Sequence, residues 1–476
     1  MIPQESYRLP PISEEQSQVV ASLGSNQVVV DSVAGSGKTT CSLYIAKLKP
    51  TENMLLLTYN SKLKLETREK VQRYQLNNLE IHSFHSFCVK YYNRECFTDA
   101  EIRALLYAHQ TPLSGFAYDT ILLDETQDMT PLYYELFCKI NRDNSGGGLL
   151  PKLCIFGDQC QSIFDYNHAD ERYIRYADKL FQFIPSSSRG WANHRLSQSF
   201  RVTTPMASFL NQCMLKQDRL KSTKFSAHLP RYIICDTFHI RPFQEVIYYL
   251  QTLKYRPEDI FILAPSIKSE KGPLRELENR IKLTLTNVPV FVPVSDEEKM
   301  DEEITRGKLV FSTFHQAKGL ERKVVLVFNF DESYFTYFKR THDPRKCPNE
   351  LYVATTRAQE HLSIFHHERN NFLPFLNTSL LSQYCWVERR PLRLSLHSTN
   401  LGKPRNVTTT ELLRYLPCQC IEECFQLLQI IKETRITPIT HPINIPMKQK
   451  QLEFCEGVSE ITGIAIPSYF EFMIKG

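Results

Sequence analysis

The chain has 476 residues, is 42% hydrophobic and 23% charged, and carries a formal net charge of +5. That length suits about two to four packed domains, and the balanced composition excludes a disordered or low-complexity chain. A charge this small permits nucleic-acid binding without arguing for it. The 14 cysteines are scattered through apolar segments without a regular framework, which fits a reducing compartment. Cys418, Cys420 and Cys424 lie close together but lack a fourth ligand at zinc-site spacing. The sequons at Asn377 and Asn406 carry little weight without a secretory signal. No leader-like segment and no apolar run of transmembrane length is present, so the expectation is a soluble intracellular protein with no membrane partner.

In chain order, the first twelve residues hold three prolines and are expected to form a loose arm. Val28–Asp31 reads as a buried strand that runs into a glycine-rich turn and a helix. Gly35 and Gly37 let the backbone of Ala34-Gly35-Ser36-Gly37-Lys38-Thr39-Thr40 turn several N–H groups toward one phosphate. The helix opening near Lys38 adds the positive end of its dipole. Lys38 can reach the β- and γ-phosphates of a nucleotide, and Thr39 can hold Mg2+. Ser32 stands where the usual phosphate-loop pattern has its first glycine.

Met54–Thr58, Ile121–Asp124 and Leu153–Gly157 continue a series of short apolar strands. Ile260–Ala264, Val290–Val294, Leu309–Thr313, Val324–Asn329 and Leu362–Phe365 form a second series. Apolar strands separated by helical stretches indicate two α/β units with parallel sheets covered on both faces. Gly146-Gly147-Gly148 marks a surface loop, and Pro185–Arg189 a hinge between the units. The expected division is 1–194, 195–367 and a C-terminal region 368–476.

Ile121–Asp124 ends in the acids Asp124 and Glu125. A carboxylate at that strand end can hold Mg2+ beside the phosphates, and the next can polarise an attacking water. Asp124 is therefore the metal candidate and Glu125 the candidate base. A strand ending in Asp-Glu is a weak signal alone, but paired with the loop at Lys38 it points to ATP hydrolysis.

Asp124-Glu125-Thr126-Gln127-Asp128 resembles the DExQD box of UvrD/Rep-type superfamily 1 DNA helicases. Further segments resemble that family's motifs in its order. These are Glu15–Gln18, Leu57–Lys62, Ser83–Phe87, Gly157–Phe164, Leu196–Arg201, Thr313–Glu321 and Tyr352–Ala358. The resemblance spans roughly residues 10–365 and implies two RecA-like P-loop NTPase domains with ATP between them. It also implies 3′→5′ movement on single-stranded or partly duplex DNA, in repair, recombination or replication.

Carried over by motif, Arg201 and Arg357 match the γ-phosphate arginines and Gln161 the γ-phosphate sensor. Gln16 matches the adenine-reading glutamine, Phe200 takes the place of the adenine-stacking tyrosine, and Glu321 matches the ribose contact. On the single-strand track, Tyr59, His85, Tyr166 and His315 match stacking or track positions. Thr58, Asn60, Ser83 and Thr313 are candidates for backbone phosphates. Thr40 stands where the family has an arginine over adenine, which loosens the expected base selectivity. Asn167 and Arg322 also depart from the family pattern.

Only about 35 residues lie between the motifs at Ser83–Phe87 and Asp124, with a short insertion expected at about 88–118. Fewer than 45 separate Ser266 from Leu309. Large accessory domains do not fit there, so a minimal motor is expected, with weak duplex opening. The tail carries Tyr384, Trp386 and the basic Arg389, Arg390 and Arg393, and could dock a protein partner or simply extend the fold. Two other functions stay open. One is an ATP-switched module that loads on a strand and recruits a partner without strong unwinding. The other is an RNA helicase of the same superfamily.

Overall fold

A computed structural model describes residues 8–388, apart from 60, 145–149, 165–166, 182–189, 270–271, 296–299 and 301. The loop at Gly146–Gly148, the segment Pro185–Arg189, Asn60, Tyr166, Asn406, the basic residues at 389–393 and the cysteines at 418–424 lie outside the described residues.

The first sheet contains β1 (Gln27–Ser32), β2 (Met54–Thr58), β3 (Leu79–Ser83), β4 (Thr120–Leu123), β5 (Lys152–Gly157) and β6 (Trp191–Leu196). Its order is β3-β2-β4-β5-β1-β6, with every pairing parallel. A ribbon of β7 (Gln198–Thr203) and β8 (Lys221–Lys224) follows.

The second sheet contains β9 (Arg231–Cys235), β10 (Ile260–Ala264), β11 (Val290–Phe291), β12 (Leu309–Thr313), β13 (Arg322–Val327), β14 (Ala358–His367) and β15 (Trp386–Glu388). Its order is β11-β12-β10-β13-β14-β9-β15, again all parallel. The two-sheet α/β architecture expected from the sequence is present.

Strand side chains alternate between faces, and here both faces are buried. Val28, Val30, Leu56 and Phe156 pack under the helices Glu14–Ser22 and Lys38–Leu48, while Val29, Leu55, Leu57 and Ile155 pack against the opposite side. The second sheet divides in the same way, with Phe261, Leu263 and Val325 on one face and Ile260, Ile262 and Val324 on the other.

Several boundaries differ from the sequence reading. β6 pairs with β1 along Gln27–Ser32, so the first sheet runs past residue 194 to Leu196. β15 pairs with β9, and Leu373, Phe375, Leu381 and Cys385 are buried in the second core. The stretch 368–388 is thus built into the second sheet and does not start a separate region. Val290–Val294 forms strand only at Val290 and Phe291. Within the expected loose arm, Leu9 is buried and the carbonyl of Pro10 accepts a 2.6 Å bond from the Tyr44 hydroxyl. The short insertion holds a nine-residue helix, Asp99–Tyr107, capped by a Thr98–Glu101 capping box.

Because every strand of the first sheet runs the same way, the turns after β1, β2, β4 and β5 emerge at one edge. Ligands of open parallel sheets bind at this carboxyl edge. It carries the glycine loop, Thr58, Asp124 and Asp158.

If 368–388 belongs to the second core, Leu381→Ala destabilises the protein by about 2–5 kcal/mol, the range for a buried leucine. Urea unfolding followed by circular dichroism measures this, and an unchanged midpoint would contradict the packing.

Candidate ATP and nucleic-acid site

The two sheets meet over the glycine loop. Gly35 and Gly37 have φ of 72° and 79°, a region that glycine enters freely. Gly37 caps the helix Lys38–Leu48, so free N–H groups open toward the turn. β7 lies directly on this loop. The Ser199 hydroxyl donates to the Ala34 carbonyl at 2.7 Å, and the Phe200 N–H donates to the Gly35 carbonyl at 2.9 Å. A Cβ on Gly35 would meet the Cβ of Arg201 at 2.5 Å. Glycine is therefore required there twice, for its backbone angle and for the close approach.

A cleft of about 1380 Å3 runs between the sheets. Gly35, Ser36, Gly37, Lys38, Thr39, Thr40 and Glu125 line it from the first half, with Gln161 beside them. Phe200, Arg201, Glu321 and Arg357 line it from the second. Ala34 is buried beneath the loop. Phe200 is 48% exposed, so it is a free apolar face and not a core phenylalanine.

Lys38 Nζ lies 3.0 Å from Glu125 Oε1. Burial alone pushes the Glu125 carboxyl up, but Lys38 and Lys318 outweigh it and hold the group well below its usual range. Glu125 is thus a fixed carboxylate, oriented by Gln127, whose side-chain N–H donates to it. Glu125 itself sits at φ 54°, an uncommon angle for a non-glycine residue and one that clusters at functional sites. Asp124 behaves oppositely. Burial and the neighbouring Glu125 push its carboxyl up. A buried carboxylate beside a second acid is the donor chemistry that a hard divalent cation satisfies, so Asp124 with the Thr39 hydroxyl fits Mg2+.

Arg357 is 1% exposed and its guanidinium donates only to neutral acceptors. These are the Val353 carbonyl at 2.9 Å, the Leu320 carbonyl at 3.3 Å, Gln161 Oε1 at 3.1 Å and Thr356 Oγ1 at 3.2 Å. Among the described residues it forms no ion pair. Burial and the adjacent Arg201 push it down, to about 9. Glu321 and Glu125 offset this only in part, and a cation buried at the cleft wall favours an anion. Arg201 pairs with the Glu321 carboxylate, whose other oxygen accepts from Gln359 at 2.7 Å. Glu321 thus holds a partner at each oxygen while its side chain stays 42% exposed at the cleft wall.

Gln16 departs from expectation. It is buried, its Oε1 accepts from the Ser13 N–H at 3.0 Å, and its Nε2 donates to the carbonyls of Ser36 and Gly37 at 3.2 and 3.3 Å. Its amide braces the phosphate loop from behind and does not line the cleft.

Of the strand-track candidates, Tyr59 lines the cleft and packs against Phe84 and Tyr133, with ring centroids 5.1 and 5.4 Å away. Thr58 is fully buried. Ser83 caps the helix Phe84–Tyr91, and the Thr313 hydroxyl donates to Gln316 at 3.1 Å. His85 pairs with Asp99 at 3.1 Å, and His315 lies 4.0 Å from Glu350. Thr58, Ser83, His85, Thr313 and His315 do not line the cleft. Asn60 and Tyr166 lie outside the described residues.

Sequence reading missed Asp128, Lys318, Asp158 and Arg219 as site residues. Lys318 Nζ donates to both Asp128 oxygens at 2.7 and 2.6 Å and to the Gln161 carbonyl at 2.6 Å, joining the halves. Their motif membership was the only available signal for Asp128, Lys318 and Asp158.

The clash at Gly35 yields a direct expectation. Gly35→Ala weakens nucleotide binding roughly tenfold or more, since a strained backbone costs about 1–3 kcal/mol. Titration with a fluorescent ATP analogue measures it, and wild-type affinity would contradict the role of the close approach.

Comparison with known proteins agrees with this geometry. The UvrD/REP helicase N-terminal domain matches residues 12–111 and 114–182, and the UvrD-like helicase C-terminal domain matches residues 251–369. R568 of Acanthamoeba polyphaga mimivirus, whose name proposes an ATP-dependent DNA helicase, is 23% identical over 335 residues. That covers 67% of this chain and 45% of the viral protein. The ATP-dependent DNA helicase PcrA of Staphylococcus aureus strain Mu50 is 32% identical over 113 residues, 23% of this chain and 14% of PcrA. The chain therefore spans less than half the length of these curated relatives. With both paired domains matched in order around one cleft, the chain belongs to the UvrD/Rep-like superfamily 1 helicases.

Proposed function

We propose that the chain is an ATP-driven motor that moves 3′→5′ on single-stranded DNA, in repair, recombination or replication. The observation that carries this reading is the convergence on one cleft of Lys38 from the first half with Arg201 and Arg357 from the second. Phosphoryl transfer spreads negative charge over the γ-phosphate oxygens, and cations fixed on both walls stabilise it. The glycine loop and the helix N-terminus cradle the phosphates. Lys38 leaves Glu125 for the phosphate oxygens, which frees that carboxylate to take a proton from the attacking water. Gln161, held against Arg357, contacts the γ-phosphate. Asp124 and Thr39 hold Mg2+, which neutralises phosphate charge when bound.

Phe200 offers the base a stacking face. Thr40 and the inward-turned Gln16 leave few fixed groups to distinguish one base from another. Beyond the nucleotide, Tyr59 continues the cleft toward Asp99, Arg103 and Tyr133. A strand tracking there would stack on aromatic faces and meet polar groups. Closing of the cleft on ATP and its reopening after hydrolysis would shift the strand. Among the described residues, no helix is long and apolar enough to cross a membrane.

A strand-loading module with weak unwinding is the second reading. It is favoured by the single nine-residue helix that the short insertion supplies. Strand-displacement activity on a partly duplex substrate separates the two readings.

Single-stranded DNA is expected to stimulate ATP turnover by the wild type, and Lys38→Ala to abolish it. Steady-state phosphate release with and without oligonucleotide tests this, and an unstimulated wild type would refute the motor. An RNA oligonucleotide in the same assay decides the alternative substrate. Glu125→Gln is expected to bind ATP normally but to lose about 100- to 10,000-fold in turnover, the range for removing a general base. Near-normal turnover would assign the base elsewhere.

A further inference from the structure

Arg219 lies between the two halves and plays no part in the scheme above. Its segment leads into β8, and the next residue, Leu220, is buried in the second core. Yet the Arg219 side chain reaches across to the first sheet and is only 5% exposed. Its Nη1 and Nη2 donate to the two Asp31 oxygens at 3.0 and 2.8 Å, and Nη2 also donates to Asp158 Oδ1 at 2.8 Å. Asp31 is the penultimate residue of β1, the strand that feeds the glycine loop, and Asp158 follows β5.

Asp158 is fully buried and divides its two oxygens. Oδ1 accepts from Arg219 and from the Cys160 N–H at 3.0 Å. Oδ2 accepts from Gln161 Nε2 at 2.8 Å. A carboxylate only accepts, so it selects the N–H2 end of the Gln161 amide. That choice turns Gln161 Oε1 away from Asp158 and onto Arg357, 3.1 Å away. A flipped amide would set its donors against the guanidinium and its oxygen against the carboxylate.

Removing Arg219 leaves Asp158 buried without its cation. Only the Cys160 N–H then still holds Oδ1, so the carboxylate can turn. A turned carboxylate no longer selects one amide orientation.

We infer that Arg219 is a positioning residue, which fixes the Gln161 amide through Asp158 and so transmits closure of the two halves to the γ-phosphate contact. The inference rests on the assignment of Gln161 to the γ-phosphate. It goes beyond that assignment by tying the contact to a residue that touches neither nucleotide nor Gln161. Asp31 anchors the arginine's other edge, so the same fork reports the position of the strand that feeds the loop.

Binding of ADP and of ATPγS tests the inference, because only ATPγS carries the third phosphate. Wild type is expected to prefer ATPγS. Arg219→Met should reduce that preference roughly tenfold, matching Gln161→Ala, while ADP affinity changes less than twofold. The double variant should lose no more than either single one, since both remove the same contact. Arg219→Lys keeps the charge without the planar fork and should fall between; it serves as the test if Arg219→Met does not fold. Equal loss of ADP and ATPγS affinity, or additive effects in the double variant, would overturn the inference by showing a purely structural role. Unchanged preference in the folded Arg219 variants would overturn it too. A wild type that hydrolyses ATP but gives these results loses this inference alone, whereas one that binds neither nucleotide loses the ATPase reading with it.

Discussion

Gly35 has no side chain, and the site is built around that fact. β7 can lie on the phosphate loop only because nothing projects from Gly35 toward Arg201. From this one contact follow the Ser199 and Phe200 bonds to the loop backbone and the burial of Val33 and Ala34 against the second core. The loop is thus shared between the halves. A ligand in its turn is automatically under Arg201 and Arg357 of the second half. Phosphate-binding loops need glycine for their backbone angles, and here the same residue also sets how closely two sheets approach.

Charge is arranged around that seam with opposite logic on its two sides. On the first side, the buried Asp124 and the half-buried Glu125 lie together, and Lys38 pairs with Glu125. On the second, Arg357 is buried among neutral acceptors, beside another arginine. Each wall lacks the charge that a metal-bound triphosphate would bring. The halves are meanwhile held by pairs that involve no ligand, Lys318 with Asp128 and Arg219 with Asp31 and Asp158. Such buried pairs cost desolvation, and their value lies in fixing one relative arrangement.

Much of this was legible in the sequence, for identifiable reasons. β1, β2, β5, β10 and β12 are buried on both faces and read as unbroken apolar runs. β6, with Asn193, His194 and Arg195, is a half-exposed edge strand with no such run, and the segment boundary was set inside it. β3 alternates Leu79, Glu80 and Ile81, so its five residues carry no unbroken apolar run. β15 offers only three residues, and its place depends on β9 from more than 150 positions upstream.

The residues that line the cleft from the glycine loop and Glu125 were legible because phosphate chemistry demands fixed types at fixed spacing. The pairing of Lys318 with Asp128 and of Arg219 with Asp158 was not, since nothing local joins residues so far apart in the chain. Gln16 carried the right identity but faces the loop's carbonyls, a choice made by packing that no spacing encodes.

The central claim is that cations from both halves converge on one γ-phosphate. Trapping of ADP with aluminium fluoride, which mimics the transferring phosphoryl group, tests it most directly in wild type and Arg357→Ala. The account predicts a stable complex with the wild type, and its loss in Arg357→Ala with ADP binding retained. Equal trapping by both proteins would contradict it.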